Sequence, residues 1–273
     1  MQEFFLSSCL VGGSSIFAYL RSREFWDSFL PMNRTLHVYK FGGASVKDAA
    51  ALRNLYTILQ SRLQTNKLIV VSAMGKTTNA LEAVLAKKLV QADFSQDWNQ
   101  IRDFHVGVCQ ELFPDAHPVV AKLEQLMDTA QPILEAPISK SNYDEVYDQL
   151  ICYGELLSSL VVSEYLIFRG LPLSWQDART VIHTDSDFRF AKIDWEKTRA
   201  ACQNQWAGLL TQTTILTQGF IGQDPIGRTT TLGREGSDFT AAILATSLDA
   251  EAVTIWKDVP GMLNADPKWF DNT

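Results

Sequence analysis

The sequence has no C-x-x-C pair: its four cysteines stand alone at positions 9, 109, 152 and 202, with no histidines beside them at metal-ligand spacing. That argues against a structural zinc site and a disulfide scaffold, and reduced thiols in a cytoplasmic protein are expected. There is no run of lysine and arginine, and the net charge of -7 offers no surface to neutralise a phosphate backbone, so a nucleic-acid partner is not expected. A clean membrane span is also missing. Residues 4–20 are mostly apolar but are interrupted by Ser7, Ser8, Gly12, Gly13, Ser14 and Ser15, and the only charge ahead of them is Glu3, where a secretory signal carries positive charge. Internal repeats and low-complexity linkers are absent as well.

What is there suits an acidic enzyme of small metabolites, with 273 residues allowing one large α/β domain. Translation is expected to start at Met32, directly before the first convincing strand, leaving residues 1–31 as an extension with little fold content and 32–273 as the domain. From Thr35 strands and helices alternate. The apolar run at 36–39 ends in Lys40-Phe41-Gly42-Gly43, a strand entering a glycine turn. Residues 48–63 place Ala51, Leu52, Leu55, Ile58, Leu59 and Leu63 at helical spacing, with Asp48 suited to the first turn. A continuous apolar strand at 68–71 then leads into a polar loop and a helix over about 79–90. Strand, helix, strand in so short a span implies a right-handed parallel crossover and a sheet covered on both faces. Residues 98–169 read as helical, with one long apolar helix over 143–168. Strands are expected at 173–175, 181–183, 214–217 and 252–256, with a helix near 195–206 and another directly after Asp238 that carries Ala241, Ala242, Leu244, Ala245 and Leu248.

Ligands gather at the carboxyl ends of strands in open α/β sheets, and four loops there are polar or glycine-rich. Lys40-Phe41-Gly42-Gly43-Ala44-Ser45 combines a fixed cation with glycines whose N–H groups can approach an anion, although two glycines after a strand also make a plain tight turn. Ser72-Ala73-Met74-Gly75-Lys76-Thr77-Thr78 looks like the end of a P-loop, but that motif needs a glycine five residues before Gly75, where Val70 stands. Its hydroxyls and amides suit a carboxylate or amino-acid substrate instead. Gly233-Arg234-Glu235-Gly236-Ser237-Asp238 puts an arginine able to grip a carboxylate at the start of a helix, and Asp238 reads equally as a helix cap or an organiser of a phosphate site. Lys257-Asp258-Val259-Pro260-Gly261 is the fourth.

Lys-Phe-Gly-Gly-Ala-Ser-Val, Val-Val-Ser-Ala-Met-Gly, Gly-Arg-Thr-Thr-Thr-Leu-Gly-Arg-Glu-Gly-Ser-Asp and Ile-Trp-Lys-Asp-Val-Pro-Gly, in this order from residue 35 to about 270, resemble the aspartokinases. The resemblance implies the amino-acid kinase (carbamate kinase-like) fold, a three-layer α/β/α sandwich with a mainly parallel central sheet. It also implies transfer of the γ-phosphoryl group of ATP to the side-chain carboxylate of L-aspartate, giving 4-phospho-L-aspartate, the first step toward lysine, threonine and methionine. By the same resemblance, Lys40 and Asp238 are the catalytic residues. Ser72, Thr78, Glu155 and Arg234 hold the substrate, with Glu155 on its ammonium group. Gly42, Gly43, Ser237, Lys257, Asp258 and Lys268 contact the nucleotide, and Mg2+ arrives on the ATP phosphates with no protein ligand set. Without the resemblance Glu155 reads as a solvated or capping residue.

Some positions depart from that family's pattern. Ala44 replaces a usual threonine, Glu235 a common glycine, Lys257 a threonine and Leu263 a tyrosine, while Lys268 replaces an arginine. The carboxylate of Glu235 is expected either to turn outward or to repel phosphate. Family members continue past Thr273 through a further phosphate-contacting lysine segment, the last kinase-domain helices and regulatory ACT domains, so ACT-mediated feedback is not expected of this chain. A homo-oligomer is expected of a full-length parent. Two alternatives stay open: a fragment that binds ATP and aspartate without turnover, and another member of the same fold superfamily.

Overall fold

The computed structural model describes residues 2–5, 36–62, 67–257 and 269. In chain order they form β1 (Gln2–Phe5), β2 (His37–Phe41), α1 (Ala49–Gln60), β3 (Lys67–Val71), α2 (Thr77–Leu89), α3 (Ser95–Leu112), α4 (Val119–Asp128) and α5 (Gln131–Glu135). There follow α6 (Tyr143–Ile151), α7 (Tyr153–Phe168), β4 (Leu173–Trp175), α8 (Trp195–Ala201), α9 (Gly208–Leu210), β5 (Thr214–Gln218), β6 (Ile221–Gln223), β7 (Thr229–Thr231), α10 (Gly236–Ser247) and β8 (Ala252–Lys257).

Local chemistry accounts for most boundaries. Asp48 caps α1, its side chain accepting from the Ala51 N–H at 2.8 Å, and the helix buries Ala49, Leu52, Leu55 and Leu59 along one stripe. Every residue of β3 and β5 is buried, as a strand covered on both faces requires. One sheet runs in the order β1-β8-β2-β3-β5-β4, parallel throughout except for β1, which pairs antiparallel with β8. α10 packs on β2, β3 and β8, and α7 on β3, β4 and β5. This is the three-layer, mainly parallel architecture that the resemblance implies.

Three expectations change in detail. Residues 2–5, assigned to an extension with little fold content, form the edge strand β1: β8 would otherwise present an unpaired row of backbone groups, and the Gln-Glu-Phe-Phe stretch supplies a partner for it. The strand expected at 181–183 is reduced to isolated bridges from His183 to Gln223 and from Thr184 to Ile193, while β6 and β7 form a separate two-stranded ribbon. The long helix over 143–168 is broken once, at Cys152, into α6 and α7. It is long and apolar enough to cross a bilayer, yet most of it is buried within the protein, where α7 is covered on nearly all sides. Cys109, Cys152 and Cys202 are free and buried, with burial pushing each thiol up to about 12, while Cys9 lies outside the described residues.

From β2 the chain moves to β3 on one side and returns through β8 on the other. The carboxyl end of β2 is therefore a topological switch point, where a crevice opens between diverging connections. Lys40, Ser72 and Lys257 stand at or just past the ends of β2, β3 and β8.

Candidate active site

Long-range backbone bonds hold the loops around this crevice together. The Gly42 N–H donates to Trp256 O at 3.3 Å, the Ser72 N–H to Phe41 O at 3.1 Å and the Gly75 N–H to Gly43 O at 3.3 Å. Close approach explains two glycines. A Cβ on Gly43 would lie 2.9 Å from Ala73 O, and one on Gly219, after β5, would lie 2.5 Å from Ser237 Cβ. The loop after β5 is thereby packed against the start of α10. There Phe220, at φ 70°, donates its N–H to Thr240 Oγ1 at 2.9 Å.

Four charged side chains alternate in sign across the site. Lys40 is 4% exposed, and its Nζ lies 2.7 Å from Asp238 Oδ1. Asp238 Oδ2 lies 2.6 Å from Lys257 Nζ, which in turn lies 3.0 Å from Glu235 Oε2. Asp238 occupies the first turn of α10, and the residue at the cap position is Glu235, with no side-chain cap bond, so the capping alternative for Asp238 does not hold. Burial pushes the Asp238 carboxyl up, but the two lysines on its oxygens outweigh it and hold it below the usual carboxylate range. Burial likewise lowers Lys257, and Asp238 and Glu235 more than reverse that effect. Glu235 is turned largely outward, its side chain 64% exposed, and there it pairs with Lys257.

Beside this chain of charges is a cavity of about 220 Å³ whose wall includes Lys40, Ser72, Thr78, Glu155, Ser237 and Asp238, six of the residues named from the sequence. Phe220, Gly233, Glu235 and Gly236 complete it. Ser72 is fixed by Ser158, whose hydroxyl donates to the Ser72 carbonyl at 2.7 Å. Glu155 projects from the first turn of α7 and is 4% exposed. Its Oε1 accepts from the Ala73 N–H at 3.3 Å, and its buried Oε2 has no hydrogen-bond partner among the described residues. Burial pushes this carboxyl up to about 8, against the Ala73 hydrogen bond and the charge of Lys40. A buried carboxyl with one unpartnered oxygen, on a residue that lines a cavity, calls for a donor such as a cationic group.

The remaining named residues fall elsewhere. A Cβ on Gly42 would lie 3.4 Å from Lys40 Nζ, so the glycine turn sits against the lysine, outside the cavity wall. Lys257 is also outside the wall and reaches the site through its two carboxylate partners. Arg234 is exposed and does not line the cavity: the left-handed residues Gly233 (φ 75°) and Glu235 (φ 57°) on either side carry it to the surface. Asp258 and Lys268 lie outside the described residues. Among those described, no group of three or more His, Cys, Asp or Glu could hold a metal ion.

The sequence reading missed Phe220, whose place after the strong strand β5 was visible but whose contact with α10 was not. It also missed Asp148. That carboxylate in α6 is fully buried and accepts from Thr231 N and Thr231 Oγ1, both at 2.7 Å, and from Arg189 N at 2.9 Å. It thus ties the helix preceding Glu155 to β7, the strand that feeds the loop 233–238. Burial pushes Asp148 up to about 6 despite these donors.

Comparison with known proteins gives the family and the fold. Residues 35–273 match the amino acid kinase family. The chain is similar to lysine-sensitive aspartokinase 3 of Escherichia coli, 36% identical over 232 residues, covering 85% of this chain and 51% of the relative. It is similar also to an aspartokinase of Chlamydia trachomatis, 33% identical over 238 residues, with 86% and 52% covered. Among solved structures, E. coli aspartokinase III in complex with aspartate and ADP superimposes with a TM-score of 0.76 at 34% identity, covering 85% of this chain and 51% of that one. The chain spans about half the length of these relatives.

Proposed function

Since the chain belongs to the amino acid kinase family, we propose that it transfers the γ-phosphoryl group of ATP to the side-chain carboxylate of L-aspartate. The observation that carries this reading is Glu155: a buried carboxyl with an unpartnered oxygen, belonging to a residue that lines a small cavity together with Lys40 and Asp238. An amino acid fits between them with its ammonium group on Glu155 and its reacting carboxylate toward the lysine. The cavity of about 220 Å³ suits a ligand of that size, with Ser72 and Thr78 offering hydroxyls to its oxygens.

The attacking carboxylate is already a nucleophile and needs no base, so the protein's contribution is placement and charge. Lys40, held at 2.7 Å by Asp238, is fixed before substrate arrives and offsets negative charge as it spreads over the transferred group. The backbone turn at Gly42 and Gly43 sits against Lys40; the Gly42 N–H is held by Trp256 O, so of the two the Gly43 N–H is the one assigned to the same phosphate, and Ser237 at the start of α10 adds a hydroxyl. Magnesium would supply further neutralisation. Both oxygens of Asp238 are taken by lysines, so the ion is assigned to the phosphates rather than to a protein cage. Lys257, Asp258 and Lys268 are assigned to the nucleotide, and Arg234 to the substrate α-carboxylate after turning inward from the surface. The partners are then L-aspartate and ATP, in the cytoplasm.

A panel of acceptors with MgATP, read as ADP release, tests the assignment. Aspartate is expected to stimulate ADP release well above glutamate, acetylglutamate or carbamate. A preference for any of those three would refute it.

A further inference from the structure

Lys257 has two carboxylate partners, and they are not equivalent. Asp238 has a side chain 19% exposed and holds Lys40 on its other oxygen, so leaving Lys257 would strip a half-buried cluster of a cation. The side chain of Glu235 is 64% exposed, and Lys257 is its one ion-pair partner among the described residues. Water competes for an exposed pair at both ends, and holding two long side chains in one geometry costs entropy, so this contact is the weaker of the two. Glu235 also stands at φ 57°, ψ 22°, a left-handed conformation that a non-glycine residue rarely adopts. Glu235 is among the residues that line the cavity, so its charge lies near any phosphate bound there.

We propose that Glu235 is the displaceable counter-ion of Lys257. Glu235 shares the ammonium with Asp238; when a polyphosphate arrives, a phosphate oxygen replaces Glu235 on Lys257 while Asp238 stays. This rests on reading the site as one for nucleotide phosphates. Glu235 is then a positioning residue: it sets phosphate affinity through Lys257 and touches no reacting atom. A bare glutamate at this point would repel phosphate, and Lys257 cancels it until ligand binds.

Calorimetric titration of ADP into four proteins tests the idea: wild type, Glu235→Gln, Lys257→Met and the double variant. Glu235→Gln is expected to tighten ADP about fivefold, because the competitor for Lys257 is gone. In the Lys257→Met background the same replacement is expected to change affinity by less than about twofold, since the freed, exposed carboxylate turns to water and is screened. Glu235→Gly, which suits the left-handed backbone, should match Gln and guards against a folding artefact. Equal tightening in both backgrounds would reveal a general field effect and overturn the proposal, as would no tightening at all. ADP binding without the predicted coupling refutes this inference alone, whereas no ADP binding by the wild type removes the nucleotide reading beneath it as well.

Discussion

Replacing Glu155 by Gln should stabilise the folded chain at alkaline pH while weakening substrate binding. The carboxyl titrates at about 8 in the folded chain against an ordinary value of 4.5. At about 1.4 kcal/mol per tenfold in proton affinity, that difference corresponds to at most about 5 kcal/mol, and relaxation of the site makes about 3 kcal/mol a realistic expectation. The sign follows from the direction of the shift. Between pH 4.5 and about 8 the folded protein keeps a proton that the unfolded chain has released, so this group's contribution to stability falls as pH rises through that window and is level above it. Glutamine carries no charge and escapes the loss. Urea unfolding of both proteins at a series of pH values should give curves that coincide near the acid end and diverge up to about pH 8, with the variant the more stable. Parallel curves would refute the reasoning. Because an ammonium group favours the ionised carboxyl, wild-type aspartate binding should also release a proton below about pH 8. Calorimetry in buffers of different ionisation enthalpy reads that proton directly.

Lys40→Ala and Asp238→Ala should each lower phosphoryl transfer by about 10²–10³-fold with the fold retained by circular dichroism, as expected for groups acting on developing charge; turnover surviving in both would remove them from the chemistry. Gly43→Ala places a Cβ 2.9 Å from Ala73 O and 3.3 Å from Gly75 O, both backbone atoms. It should cost about 1–3 kcal/mol in urea unfolding and weaken ADP in calorimetry, because neither carbonyl can swing aside as a side chain would. Asp148→Asn confronts the donors at Thr231 and Arg189 with an amide that accepts through only one atom. A loss of about 1–3 kcal/mol is expected, together with weaker aspartate binding if Asp148 holds the loop 233–238 in register with α7.

Much of this architecture was legible because its signals are local. Apolar runs ending in Gly42-Gly43 or Ser72, and the Asp48 cap with its leucine stripe, announce themselves within a few residues. The P-loop look-alike at Gly75 could be dismissed by one misplaced valine. Where expectation and structure part, the cause is tertiary. Residues 181–183 have strand character but find only single bridging partners, and a segment of that length cannot reveal where its partners end. Glu155 sits in an apolar helix where a lone carboxylate resembles a solvated residue. Only packing of α7 beneath the loop after β3 shows it buried next to Ala73. Lys257 and Glu235 are 22 residues apart, and Asp148 and Thr231 are 83 apart. No periodicity connects such pairs, and the departures at 235 and 257 looked unrelated until they were seen in contact. Arg234 illustrates the reverse case: its residue type suggested a carboxylate clamp, and its two left-handed neighbours carry it to the surface, so that role requires it to turn inward.

Trapping the acyl phosphate tests the central claim most directly. With MgATP, L-aspartate and hydroxylamine, the account predicts hydroxamate that depends on aspartate and disappears in Lys40→Ala; ADP release that is the same with and without aspartate, leaving no hydroxamate, would contradict it.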